Sequence, residues 1–151
     1  MTAVATPRFN VLGVGVHALN LESATAVLLN AAAEKSRRYV CCCDAHSISC
    51  ARRSASHRHV LNRAFLATPD GMLLVWLGRL AGHREVGRVY GPDLLDAVCA
   101  ATAGTGHTHF FYGGAPGVAT ALAERMIERY PSLAIVGSHS PPLVDDVADL
   151  P

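Results

Sequence analysis

The chain contains no run of about 18 uncharged apolar residues, so no helix predicted from it is long enough to cross a bilayer. It has no Cys-x-x-Cys pair. Its five cysteines are Cys41, Cys42, Cys43, Cys50 and Cys99, and three of them are consecutive. That cluster reads as small core residues of a strand in a reducing cytosol, with a zinc site from Cys41, Cys43 and a histidine as the alternative. The pairs His57-x-His59 and His107-x-His109 have no Cys or Glu at ligand spacing and read as surface or packing histidines. Neither sign of charge dominates: the formal net charge is +1, too low for a dedicated nucleic-acid binder. A secretory leader is not apparent either. Only Arg8 precedes the first apolar run, and Asn10 interrupts it, so the expected location is the cytoplasm. No Asp-x-Asp pair occurs; Asp145 and Asp146 are adjacent and lie in the tail.

What is present suits a folded α/β domain. Half the residues are hydrophobic and 17 % are charged, which argues against wholesale disorder. At 151 residues the expectation is one domain, 1–151. Apolar runs predict strands at 9–14, 39–43, 65–67, 108–112 and 133–137. Helical periodicity falls between them: Leu21 to Lys35 behind an Asn20 cap, Ala45 to Arg53 behind Asp44, and a helix opened by Ser54 or Ser56. Further helices are expected over Gly71 to Ala81, Asp93 to Ala103 and Val118 to Tyr130. Alternation of this kind implies a mostly parallel sheet flanked by helices.

In open α/β sheets, ligands bind outside the carboxyl ends of the strands. Asp70, in Thr68-Pro69-Asp70-Gly71-Met72, falls at such an end. It is a candidate general base facing a cleft, or simply the cap of the following helix. Asp44 ends the preceding strand in the same way. Two glycine-rich turns also follow strands. Gly13-Val14-Gly15-Val16-His17-Ala18 partly matches a dinucleotide fingerprint, but the helix cap at Asn20 comes after it and no acidic residue follows about 20 positions on. Gly113-Gly114-Ala115-Pro116-Gly117 joins a strand directly to a helix, where backbone amides can hold a diphosphate. The alternative is a tight turn with no ligand.

Four ordered blocks then carry a resemblance. They are Pro69-Asp70-Gly71-Met72 with Val75-Trp76; Arg88-Val89-Tyr90-Gly91-Pro92-Asp93-Leu94-Leu95; Phe110 to Ala119; and Tyr130-Pro131 with Ile135-Val136-Gly137 and Ser140-Pro141-Pro142. Together they resemble the WecG/TagA/CpsF family of bacterial glycosyltransferases, over roughly Phe9 to Pro142. The resemblance implies a Rossmann-like, inverting, metal-independent enzyme. Such an enzyme moves a sugar from a UDP-sugar, a substrate and not a cofactor, to a lipid-diphosphate-linked sugar in cell-surface polysaccharide or teichoic acid synthesis. It implies Asp70 as the base and Arg88 in the same pocket; Asp44, Gly113, Gly114 and Gly117 are candidate substrate contacts from their place at strand ends. It also implies work at the inner face of the plasma membrane, with peripheral membrane contact. Two departures stand out: Asp44 falls where the family commonly has asparagine, and Cys42 where it often has threonine. Family members usually continue for several tens of residues, so a missing C-terminal segment is expected, with apolar surface left near Leu133 to Val136 and self-association through it. Two other readings remain: a non-catalytic nucleotide-binding or assembly module, and an NAD(P)-binding oxidoreductase.

Overall fold

A computed structural model describes residues 6–142. The chain forms two compact units, Met1–Ala97 and Val98–Pro151. The acidic tail residues Asp145, Asp146 and Asp149 lie outside the described residues.

The first unit begins with a correction. The run at 9–14, expected as one strand of a parallel sheet, is the middle of an antiparallel hairpin. Strand β1 (Arg8–Val11) pairs with β2 (Val14–His17), with Val11 opposite Val14. Leu12 and Gly13 make the turn, with φ of 52° and 92°. Positive φ at both central residues is the type I′ geometry whose twist suits a two-residue hairpin. Asn62 fastens the turn from outside, accepting from Gly15 N at 2.8 Å and donating to Gly13 O at 2.9 Å. The partial dinucleotide fingerprint is therefore a hairpin. It does not open a helix, because α1 (Leu21–Ala33) starts later, behind a capping box between Asn20 and Ser23. This removes the geometric basis for the nicotinamide reading.

Strand β3 (Val40–Cys43) and β4 (Leu66–Pro69) pair in parallel, with Cys43 opposite Pro69. Between them run α2 (Ala45–Arg53) and α3 (Ala55–Arg63), the latter opened by Ser54. Every residue of β4 is buried. The strand runs two residues further than expected because Pro69, lacking an N–H, is tolerated at a strand end, and its carbonyl accepts from Val89 N at 2.8 Å. His17 links hairpin to parallel pair: its Nδ1 accepts from Ala67 N at 2.9 Å. Helix α4 (Met72–Leu80) packs its Leu74, Val75 and Gly78 side inward. A Cβ at Gly78 would lie 2.9 Å from the Phe9 ring, so glycine lets the helix approach the hairpin. Helix α5 (Gly91–Thr102) begins two residues before the expected Asp93, and the boundary between the units falls within it.

In the second unit, β5 (Thr108–Tyr112) pairs in parallel with β6 (Ala134–His139). Helix α6 (Val118–Arg129) lies between them in the chain and buries Ala119 and Ala123. Strand β6 runs two residues past the expected end at 137. Gly137 is accommodated there under the Phe110 ring, where a Cβ would come within 2.7 Å. The expectation of apolar surface near 133–136 splits: Leu133 is buried, while Val136 is 65 % exposed.

The described architecture is thus mixed α/β, with two parallel strand pairs flanked by helices, consistent with a Rossmann-like topology. The expectation of five parallel strands gives way to six described strands, the first two antiparallel.

Candidate active site

The carboxyl ends of β3 and β4 bring several of the expected residues together. Asp70 directly follows β4, and its N–H donates to Cys43 O at 2.9 Å, which keeps the parallel ladder closed to its last residue. The expected cap role for Asp70 does not hold in its simple form. The N-cap of α4 is Gly71, with no side-chain cap bond. The carboxylate turns instead toward the segment before α5. Asp70 Oδ2 accepts from Gly91 N at 3.2 Å, the first residue of α5. Arg88 Nε donates to the Asp70 carbonyl at 2.8 Å, and Arg88 Nη2 stands 3.9 Å from Oδ1. Asp70 is 18 % exposed at its side chain and Arg88 46 %. An ion pair so long and half open to water contributes little stability. What it does is hold a cation and a carboxylate at one edge.

Arg88 is also stacked. Its guanidinium carbon lies 4.3 Å above the centre of the Tyr90 ring, a geometry that fixes the long side chain. Cys42 completes this corner. A Cβ at Gly91 would sit 3.7 Å from Cys42 Sγ and 3.9 Å from Asp70 Oδ2. The Cys42 thiol is held above its ordinary pKa, first by burial and then by the Asp70 charge, with the nearby Thr68 hydroxyl acting in the opposite sense. It stays a neutral thiol at neutral pH. Thr68 Oγ1 itself is buried with no partner in hydrogen-bond geometry.

Asp44 has a local job. It is the N-cap of α2, accepting from Ser47 N at 2.7 Å through Oδ1, while Ser47 Oγ accepts from Asp44 N at 2.9 Å. The Ser47 amide bond is the chief reason its carboxyl titrates below the ordinary value. Asp44 is exposed, and its Cα lies 3.9 Å from where a Gly71 Cβ would be. It therefore borders the Asp70 turn, with one oxygen committed to the cap.

The glycine turn belongs to the second unit. Gly113, Gly114 and Gly117 all have positive φ, at 120°, 76° and 85°. A Cβ at Gly114 would fall 2.8 Å from Val118 Cγ1. The turn is pinned by β6: Gly113 N donates to His139 O at 2.9 Å, and Ser140 Oγ donates to Gly113 O at 3.1 Å. Gly117 is the N-cap of α6 and supplies no side chain to it. Two of the helix's first amides are already engaged, Val118 N by Ala115 O at 3.0 Å and Ala119 N by Ser140 Oγ at 3.4 Å.

Behind the first site lies a residue that the sequence alone did not single out. His17 is 5 % exposed. Both of its ring nitrogens face N–H donors, Ala67 N on Nδ1 and Arg8 Nε on Nε2, each at 2.9 Å. A neutral imidazole has one acceptor nitrogen, so either tautomer satisfies one of the two donors, and a protonated ring would satisfy neither. Burial and the Arg8 charge accordingly lower its pKa from 6.5 to about 4. The only available signal was a histidine in an otherwise apolar strand.

Elsewhere in this unit a shallow apolar groove of about 510 Å³ is lined by Leu21, Glu22, Thr25, Ala26, Leu29 and Ala97, and includes none of the site residues. Among the described residues no three His, Cys, Asp or Glu side chains gather as a metal-binding group.

The model of the WecG/TagA/CpsF glycosyl transferase family matches residues 9–150. The chain belongs to that family. A search of the curated proteins found no match. Membership of this family supports a glycosyltransferase-like enzymatic role.

Proposed function

We propose that this family member is an inverting glycosyltransferase that moves a sugar from a UDP-sugar to a lipid-diphosphate-linked sugar without a metal. It would act at the cytoplasmic face of the plasma membrane. The observation that carries this reading is the Asp70 carboxylate. It leaves α4 uncapped and is held with Arg88 at the carboxyl end of a parallel pair.

The chemistry follows from that arrangement. Asp70 takes the proton from an acceptor hydroxyl as its oxygen attacks the anomeric carbon from the face opposite the leaving group. The bond from that carbon to the diphosphate oxygen breaks, and UDP departs with the electron pair. A carboxylate has about four lone-pair sites, so the single Gly91 amide leaves Asp70 able to accept from a hydroxyl. Arg88 is the candidate to neutralise charge developing on the diphosphate. Within the second unit, the turn Gly113–Gly117 is by itself a candidate phosphate contact, through backbone amides at the start of α6. Asp44, exposed beside Gly71, has one oxygen left to accept from a sugar hydroxyl.

The experiment is UDP release from a UDP-sugar, with and without a lipid-diphosphate-sugar acceptor, together with the anomeric configuration of the product by NMR. Acceptor-dependent release with inverted configuration is expected. UDP-sugar binding in calorimetry without release across donors and acceptors would contradict it. That result would favour the second reading, a nucleotide-binding module in which the Asp70–Gly91 bond merely ties the 88–91 segment to the end of β4.

A further inference from the structure

Helix α4 carries an apolar stripe on its outer side. Met72 is 44 % exposed, Leu73 50 %, Trp76 61 % and Leu80 85 %. At about 100° per residue these four positions and Arg79 fall within an arc of roughly 120°. The buried Leu74, Val75 and Gly78 fall on the other side. The stripe is therefore one surface, and the inner packing of the helix does not need it. Large apolar residues at contiguous exposed positions mark a contact face.

The charges around it indicate what makes that contact. Residues 72–80 contain no Asp or Glu, and Arg79 is their single charge. Arg88, held on the Asp70 carbonyl, stands at the amino end of the helix, and Arg84 follows its carboxyl end. Glu85 is the one acid in the segment 79–88. Tryptophan, leucines and methionine bordered by arginines form the composition that lies in the headgroup layer of a bilayer. The arginines add attraction to anionic lipid. A two-fold contact with a second copy would instead bring Arg79 and its neighbours against the same charges.

We propose that the outer face of α4 docks on an anionic lipid surface through Met72, Leu73, Trp76 and Leu80, with Arg79 and Arg84 meeting the headgroups. The helix starts two residues after Asp70, so docking this face brings the Asp70 turn to the membrane surface. This deepens the proposed reaction, whose acceptor is lipid-borne. The inference itself rests on surface chemistry and is tested without any sugar substrate.

Trp76 is the single tryptophan of the chain, so its emission reports on this face alone. The probe is vesicles of phosphatidylcholine with and without phosphatidylglycerol. The expected result is cosedimentation with the anionic vesicles, a blue shift of Trp76 emission, and weakening of both as salt rises. The double variant Leu73→Gln, Leu80→Gln should bind about tenfold more weakly or worse. Both side chains are exposed, so circular dichroism should show the fold retained. Three outcomes would overturn the proposal: no cosedimentation by the folded protein, equal binding to vesicles lacking phosphatidylglycerol, or a concentration-dependent blue shift with a dimer mass in the absence of vesicles. The last would assign the face to a second copy. Loss of docking with UDP release intact, or the reverse, separates this inference from the proposed reaction.

Discussion

The turns Asp70–Gly71 and Gly113–Gly117 both lead from the end of a parallel strand into a helix, yet they are built differently. The first is held by side chains reaching across the sequence: the Asp70 carboxylate to Gly91, and Arg88 back to the Asp70 carbonyl. The second is shaped by its backbone, with three glycines at positive φ and a single serine hydroxyl, Ser140, pinning it. The contrast separates two ways of making a site. A side-chain turn sets where charge sits. A backbone turn sets shape and presents amides, and tolerates almost no added atom.

The largest effect expected on stability concerns the frame behind the first turn. His17 has a folded pKa of about 4 against 6.5 for the free group. Its contribution is complete above pH 6.5 and is lost as pH falls toward 4, because the unfolded chain takes up the proton first. A shift of this size corresponds to roughly 3 kcal/mol. Urea melts from pH 7 to pH 4 should show it, with a visibly shallower slope in His17→Gln. An unchanged slope would mean that His17 does not report on the strand frame.

Next comes the shape of the second turn. Gly114→Ala places a Cβ 2.8 Å from Val118 at a φ of 76°, and should cost about 1–3 kcal/mol in the same melts. The matching change in the first turn, Gly71→Ala, meets nothing nearer than 3.9 Å and has no positive φ. It should stay within about 0.5 kcal/mol. Equal costs would erase the distinction between the turns.

Smaller again are the fastenings. Ser140→Ala removes the donor to Gly113 O and should cost about 1 kcal/mol. Asp44→Ala should cost a similar amount by uncapping α2, whereas Asp44→Asn, nearly as good a cap, should cost almost nothing. If Asp44→Asn nevertheless weakens UDP-sugar binding in calorimetry, the free oxygen of Asp44 contacts the sugar.

The same contrast accounts for what the sequence made legible. Helix α6 and strand β5 were readable because local periodicity and the Gly113–Gly117 break coincide with real boundaries. The hairpin at 8–17 was not, because Leu12-Gly13 is an uncommon pair for a type I′ turn and the apolar run continues through it. The strand expected at 65–67 ended two residues too early, since nothing local shows that Val89 will use the Pro69 carbonyl. Gly137 marked the expected end of the last strand, although Phe110 covers it and β6 runs on to His139. At the site, Asp70, Asp44 and Arg88 were identifiable as residues. The bond from Asp70 to Gly91 spans 21 positions, and the double demand on His17 comes from Arg8 and Ala67. Contacts at such separations have no local signature.

The central claim is that Asp70 is the base and not only a tie between segments. The most direct measurement is Asp70→Asn assayed for both turnover and UDP-sugar binding. Asparagine keeps the shape and can still accept from the Gly91 amide while removing proton acceptance. The account predicts a fall in turnover of roughly 10²-fold or more, with affinity and melting behaviour nearly unchanged. Undiminished turnover in the folded variant would contradict it and leave Asp70 as a structural tie.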